Sequence, residues 1–172
     1  MAFSTEGPIV YRDMREGELA AIETIHASAF GGDEEARLPQ AIIQDGHEII
    51  SVVAAKGDYL VAHALFSALR GADRALALAP VATVPDHQGE GIGSHLIRYG
   101  LQRATNEGWR SVFVLGDPAF YGRLGFDARL ARGATVPWAG PNFQALELVP
   151  GALEGWSGIL RYPSAFGGED VI

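Results

Sequence analysis

The stretch Gln88-Gly89-Glu90-Gly91-Ile92-Gly93-Ser94 carries three glycines on alternate positions. Without a Cβ at 89, 91 and 93 the backbone can come close to a ligand and turn several amide N–H groups the same way. The bare amides and positive dipole end of a following helix then favour an anion such as a pyrophosphate. The chemistry on offer is a phosphate cradle built from main chain, although a tight strand-to-helix corner with no ligand would use the same residues. Three other motifs fail letter by letter. The dinucleotide fingerprint G-x-G-x-x-G reaches Ser94 from Gly89 and Leu96 from Gly91. A Walker loop needs Gly-Lys followed by Ser or Thr, and the one lysine, Lys56, precedes Gly57. The hydrolase elbow G-x-S-x-G is missed at Gly155-Trp156-Ser157-Gly158, which runs on into Ile159.

A strand before the turn and a helix after it must position those amides, and the pattern predicts both. Ala75 to Val84 is a nearly continuous apolar run of strand length, as in a central strand buried on both faces. Gly93, Leu96, Ile97, Gly100, Leu101 and Ala104 recur at helical spacing and predict a helix over Gly89 to Glu107, stopped by Gly108. Upstream, a strand is expected near Ile9 to Arg12. A helix follows, opened by a capping box of Asp13 and Glu16, carrying Leu19, Ile22, Ile25, His26 and Ala29 on one face and ended by Gly31-Gly32. A second helix runs from Asp33 to about Gln44, with Pro39 bending it or marking its true start and Asp45-Gly46 closing it. Two β-rich runs, Glu48 to Ala55 and Tyr59 to Leu69, flank the hairpin signal Lys56-Gly57-Asp58, and a loop at Arg70 to Arg74 leads into the central strand. Downstream come a strand at Ser111 to Leu115, a short helix at Pro118 to Leu124 opened by Asp117, a strand at Gln144 to Leu148 and a last strand within Trp156 to Arg161. With no internal repeat, low-complexity tract or linker, this α/β alternation predicts a single domain over residues 1–172, built on one mixed sheet of about seven strands.

Composition narrows the function classes. A chain of 172 residues, 48% of them hydrophobic, is long enough to form a sizeable core without staples, burying roughly 70% of the surface its unfolded form exposes. Zero cysteines exclude a disulfide framework, a thiolate metal site and a cysteine nucleophile. His26, His47, His87 and His95 show no metal-ligand spacing, so no metal is expected. With 21 acidic against 13 basic side chains and a net charge of −8, the chain lacks the basic face of a nucleic-acid reader, and its acidity steers towards a cationic partner. No stretch reaches the length of a membrane span, and Met1 to Glu6 lacks the charged and apolar regions of a secretion signal, so a cytoplasmic location is expected.

The turn matches the pattern Q/R-x-x-G-x-G/A, and the chain resembles the GNAT superfamily of N-acetyltransferases. The likeness extends to Leu115-Gly116-Asp117-Pro118-Ala119-Phe120-Tyr121 and Gly125-Phe126. With Ala62-His63-Ala64 on a strand and Leu146-Glu147-Leu148-Val149-Pro150-Gly151 near the end, it is similar to the YhbS-like branch, over roughly residues 8–166 with a motif core at about 75–126. The resemblance implies the GNAT-like acyl-CoA N-acyltransferase fold, with a central parallel pair that splays apart and holds acetyl-CoA in the gap. It also implies acetyl transfer by direct attack of an amine on the thioester, which needs no enzyme nucleophile and leaves CoA as product.

Carried over residue by residue, the resemblance implies that the backbone of Ala82, Thr83 and Val84 pairs with the pantetheine arm. An N–H near Ala82 would polarise the thioester carbonyl, and the amides from Gln88 through Gly89, Glu90, Gly91, Ile92 and Gly93 to Ser94 would hold the pyrophosphate. Asp117, Phe120 and Tyr121 would complete the cofactor contacts. Tyr121 matches the family tyrosine that acts as general acid; with ordinary pKa values of about 10 for a phenol and about 8.5 for a thiol, hydrogen bonding to the departing sulfur fits better than full proton transfer. The alternative is that Tyr121, between Phe120 and Leu124, is a core aromatic. For the base, relatives often use a carboxylate through water, yet no acid stands between Ala75 and Val84; Glu34 and Glu35, at the entry to the bent helix near the expected acceptor side, are the first candidates and His63 on its strand the second. Glu34 and Glu35 could instead be favourable first-turn acids, and His63 a satisfied core histidine. The expected partners are acetyl-CoA and an amine acceptor, cationic by the charge argument, with a homodimer left open and neither nucleic acid nor membrane among them. The rival reading is a non-catalytic acyl-CoA sensor or a scaffold domain.

Overall fold

The computed structural model describes residues 3–31 and 33–166, with the side chains of residues 33–35 outside that set. Its elements are β1 (Ile9–Asp13), α1 (Leu19–Phe30), α2 (Asp33–Gln44), β2 (Ile49–Lys56), β3 (Tyr59–Leu69), β4 (Ala75–Thr83), α3 (Ile92–Asn106), β5 (Ser111–Leu115), α4 (Pro118–Gly122), β6 (Ala134–Thr135), β7 (Phe143–Glu147) and β8 (Gly158–Ile159). Contacts divide the chain into two compact units. One comprises the chain up to Phe66 together with Ala79–Gly100, the other Ser67–Leu78 with the chain from Leu101 onward.

Six strands form one sheet in the order β1-β2-β3-β4-β5-β7, while β6 and β8 make a separate parallel pair. The last strand therefore lies outside the single sheet expected from sequence, and β6 has no counterpart in that reading. Strands of two residues leave no alternation to detect. β1 runs antiparallel to β2, from Ile9↔Lys56 to Asp13↔Val52. β4 and β5 are adjacent and parallel, in register from Ala75↔Ser111 to Ala77↔Phe113, as a helical crossover between them requires. β7 closes antiparallel on β5 from Ser111↔Glu147 to Leu115↔Phe143.

In the first unit, β2 and β3 read as near-continuous apolar runs because both faces are covered: Val52, Val53, Ala54, Val61, Ala62 and Ala64 have no exposed surface. β4 departs from the two-face expectation. Ala75–Leu78 are buried, but most of the strand from Ala79 onward is half-buried. The capping box expected at Asp13 and Glu16 does not form. Asp13 ends β1 opposite Val52, the Met14 N–H continues the ladder to the Ser51 carbonyl (2.9 Å), and α1 begins only at Leu19. Glu18, at the N-cap, instead accepts from the Arg15 N–H (2.6 Å) and pairs through both oxygens with the Arg12 guanidinium (3.0 and 2.7 Å). α1 ends where Gly31 turns left-handed (φ 70°) and donates its N–H to Ala27; Gly32 lies outside the described residues. α2 keeps the expected bounds, with Pro39 inside it.

α3 starts three residues later than the periodicity suggests, because Gly89 and Gly91 have φ values of 79° and 81° that a right-handed helix cannot contain. Its buried stripe runs through Leu96, Ile97, Gly100, Leu101 and Ala104 as expected, while Gly93, also expected on it, is only half-buried. In the second unit, Arg74 closes the C-terminal turn of α3 by donating to the Glu107 carbonyl (3.0 Å) while its guanidinium lies 3.9 Å over the Trp109 ring. α4 opens as expected, with Pro118 first and the Asp117 carboxylate accepting from the Ala119 N–H (2.9 Å), but stops at Gly122, short of Leu124. The core of this unit gathers around Phe113, which stacks on Phe143 (5.7 Å between centroids) and meets Trp156 (5.8 Å). Trp156 Nε1–H donates to the Gly71 carbonyl at 3.0 Å. Among the described residues no helix is long and apolar enough to cross a membrane.

Candidate active site

The glycine turn sits at the end of β4. The Val84 N–H donates to the Val61 carbonyl (2.8 Å), tying the chain to β3 as it leaves the sheet, and Pro85–His87 make one 3₁₀ turn before Gln88. The chain then passes through two left-handed glycines into α3. The first intrahelical bond runs from the His95 N–H to the Gly91 carbonyl (3.1 Å), so the amides of Ile92, Gly93 and Ser94 have no acceptor within the helix. A Cβ built on Gly89 would meet nothing within 4 Å, and one on Gly91 only His95 ring atoms at 3.7 and 3.8 Å. The turn thus presents bare backbone with room for an oxyanion against it, and the residues present fit a pyrophosphate. At Gly93 a Cβ would lie 3.6 Å from Thr83 Oγ1, so the start of α3 packs closely on the end of β4.

Three side chains brace the turn, and sequence reasoning assigned this to none of them. Gln88 Nε2–H donates to the Thr83 carbonyl (3.0 Å), His87 Nδ1 lies 3.0 Å from Glu90 Oε2, and His95 Nδ1 lies 2.7 Å from the Gly91 carbonyl. The four-residue spacing from Gly91 to His95 was the available signal for the last of these. Ala82 and Val84 are buried, and Thr83 is half-buried.

Tyr121 belongs to the second unit. Its ring lies against Gly116, where an added Cβ would collide with it, and meets Phe120 and Phe126 edge-on at 4.9 and 5.7 Å between centroids. Burial raises its pKa above the ordinary phenol value, so at neutral pH it is a protonated donor. Among the described residues no hydrogen bond engages its hydroxyl. Phe120 is half-buried beside it, and the Asp117 carboxylate is occupied as the cap of α4.

The candidate bases sit differently. Glu34 and Glu35 fall in the first turn of α2, with side chains outside the described residues. His63 has no exposed surface. Its Nε2 is 2.8 Å from Ser51 Oγ and its Nδ1 2.8 Å from Nε2 of His26, which is equally buried on α1. Burial lowers the pKa of His26 to about 4 and, together with the neighbouring His26, that of His63 well below its usual value, so both rings are neutral. Among the described residues His26 Nδ1 has no hydrogen-bond partner. The sequence showed His26 on the buried face of its helix but could not show that it meets His63, which is 37 residues away.

Comparison with known proteins agrees with this arrangement. The pattern of the acetyltransferase (GNAT) family matches residues 19–126. The chain is 29% identical over 151 residues to the uncharacterized N-acetyltransferase YhbS of Escherichia coli, covering 84% of this chain and 90% of the relative. It is 32% identical over 119 residues to the uncharacterized N-acetyltransferase YjhQ of the same species, covering 65% and 66%. Among solved structures, E. coli YhbS in complex with CoA superposes with a TM-score of 0.85 at 26% identity, covering 92% of this chain and 91% of that one. A GNAT family acetyltransferase of Brucella melitensis in complex with acetyl-CoA gives 0.79 at 28% identity, covering 92% and 98%. A family match over more than half the chain, together with a parallel β4–β5 pair and a glycine turn leading into α3, places the protein: the chain belongs to the GNAT family of acetyltransferases.

Proposed function

We propose that this protein is an N-acetyltransferase, acting as one domain over residues 1–172 in the cytoplasm, that moves an acetyl group from acetyl-CoA to a primary amine of a small molecule or peptide. The observation that carries the reading is the turn at Gln88–Ser94, whose two left-handed glycines leave bare backbone ahead of a helix N-terminus. Two similar structures hold CoA and acetyl-CoA, which supports the choice of anion.

Acetyl-CoA supplies an acyl group already activated as a thioester, so the protein's task is to hold, orient and stabilise charge. The amides from Gln88 to Ser94 hold the pyrophosphate, and the backbone of Ala82, Thr83 and Val84 aligns the pantetheine arm, with an N–H near Ala82 opposite the thioester oxygen. Asp117 and Phe120 flank the cofactor. Tyr121, a neutral phenol with a free hydroxyl, donates a hydrogen bond to sulfur as thiolate character develops. His63 is the candidate base whose ring nitrogens are both engaged, so the reading gives the amine's proton to Glu34 or Glu35. The acceptor is cationic before it loses that proton, in keeping with a chain of net charge −8.

The test is release of free thiol from acetyl-CoA across an amine library. Amine-dependent release supports the reading. Binding of acetyl-CoA with no release for any amine would leave an acyl-CoA sensor, and no binding at all would leave a scaffold.

A further inference from the structure

The Gly91 carbonyl accepts two bonds from one residue. The His95 backbone N–H reaches it at 3.1 Å and the His95 imidazole Nδ1 at 2.7 Å. A carbonyl can only accept, so Nδ1 carries the proton whether the ring is neutral or charged. The ring is backed by Tyr11 of β1, with centroids 5.9 Å apart and planes at 27°, and rests against the space that a Gly91 side chain would take. Gly91 and Gly89 are the residues of the turn with the widest backbone freedom, and both stand in the left-handed region. A glycine pair of this kind would sample many shapes in a ligand-free protein, and any ligand would have to select one of them.

We infer that His95 is a positioning residue that holds the Gly89–Gly91 turn in its anion-ready shape before ligand arrives, through Nδ1–H on the Gly91 carbonyl and without touching the cofactor. The inference rests on the cofactor reading given above only for what the turn holds. The clasp itself is a property of the free protein. Asn places its side-chain Nδ2 where histidine places Nδ1, so His95→Asn keeps a donor within reach of Gly91, whereas His95→Ala removes it.

The experiment combines amide hydrogen exchange on the ligand-free protein with CoA calorimetry and acetyl-CoA kinetics for wild type, His95→Ala and His95→Asn. His95→Ala is expected to speed exchange of the amides at 95–97, the first of α3 with acceptors within the helix, about tenfold, to weaken CoA binding by a similar factor, and to raise KM for acetyl-CoA while kcat stays within about twofold. His95→Asn is expected to recover most of each change. Unchanged exchange and affinity in His95→Ala overturns the proposal. Weakened affinity with unchanged exchange also overturns it, since His95 would then touch the ligand directly. Exchange that rises equally in β2 and β3 overturns it as well, by showing a general loss of stability. Should the wild type bind no CoA, the cofactor reading fails, and the clasp is still decided by exchange in the free protein.

Discussion

Tyr121 carries the sharpest expectation at the scale of a single residue. Its ring is fixed between Gly116, Phe120 and Phe126, and those contacts do not involve the hydroxyl. Tyr121→Phe therefore removes one donor and almost no volume, leaving packing intact. Because the hydroxyl acts on charge that develops only as the thiolate departs, kcat should fall by roughly 10² to 10⁴ with little change in acetyl-CoA affinity. Steady-state kinetics beside a calorimetric titration checks this, and turnover within a few-fold of wild type would reduce Tyr121 to a core aromatic. The same logic separates Tyr121 from Asp117, whose carboxylate already serves the Ala119 amide, so that its loss should appear first as fraying of α4.

Among the elements, α3 depends on a residue with no side chain. Gly100 faces Phe66, which is fully buried, and a methyl group there would run into the ring. Alanine should gain about 1 kcal/mol of helix propensity, but overpacking a ring with nowhere to move costs about 1–3 kcal/mol. Gly100→Ala is therefore expected to be neutral to destabilising despite the better helix former, which urea denaturation would read; clear stabilisation would contradict the packing. Where sequence reading succeeded and failed follows the same physics. Apolar runs announced β2, β3, β4 and β5, and the glycines announced the turn, because burial and left-handed backbone each restrict the residue types that fit. The start of α1 differs from the sequence expectation because Asp13 makes as good a ladder residue as a cap, and only pairing with Val52, far along the chain, decides between them. The β6–β8 pair and the meeting of His26 with His63 depend on distant contacts that leave no local period. The side-chain braces of the turn lay closer to hand, since Gly91 and His95 are one helical turn apart.

At the scale of the whole molecule, the buried histidines tie stability to acid. In the unfolded chain His26 takes up a proton near pH 6.5, whereas the fold holds its pKa down to about 4 by burial. Below pH 6.5 the unfolded state thus binds more protons than the folded one. Stability is full above that pH and falls as pH drops towards 4, by roughly 2–3 kcal/mol for His26 alone. Half-buried Asp127, held down to about 2 by Arg129, acts at lower pH, while Glu18, held below the usual carboxylate value by its hydrogen bond to Arg12, adds to the loss only at the acid end of this window. Urea midpoints measured between pH 7.5 and 4.5 should show the slope, and His26→Leu should flatten it. Equal slopes for both proteins would mean that the histidine pair is not the source.

The central claim is that backbone amides at Gln88–Ser94 hold acetyl-CoA by its pyrophosphate, and Gly91 is where that claim is most exposed. A glutamate there would put a side chain and a negative charge where the phosphate must lie, on a backbone at φ 81° that suits glycine, while a Cβ meets only the His95 ring. Calorimetric titration of acetyl-CoA into wild type and Gly91→Glu, with circular dichroism confirming that both are folded, is the direct measurement. One-site binding by the wild type and no detectable heat from the folded variant is the predicted result; equal affinity in the two proteins would contradict the cradle and the function built on it.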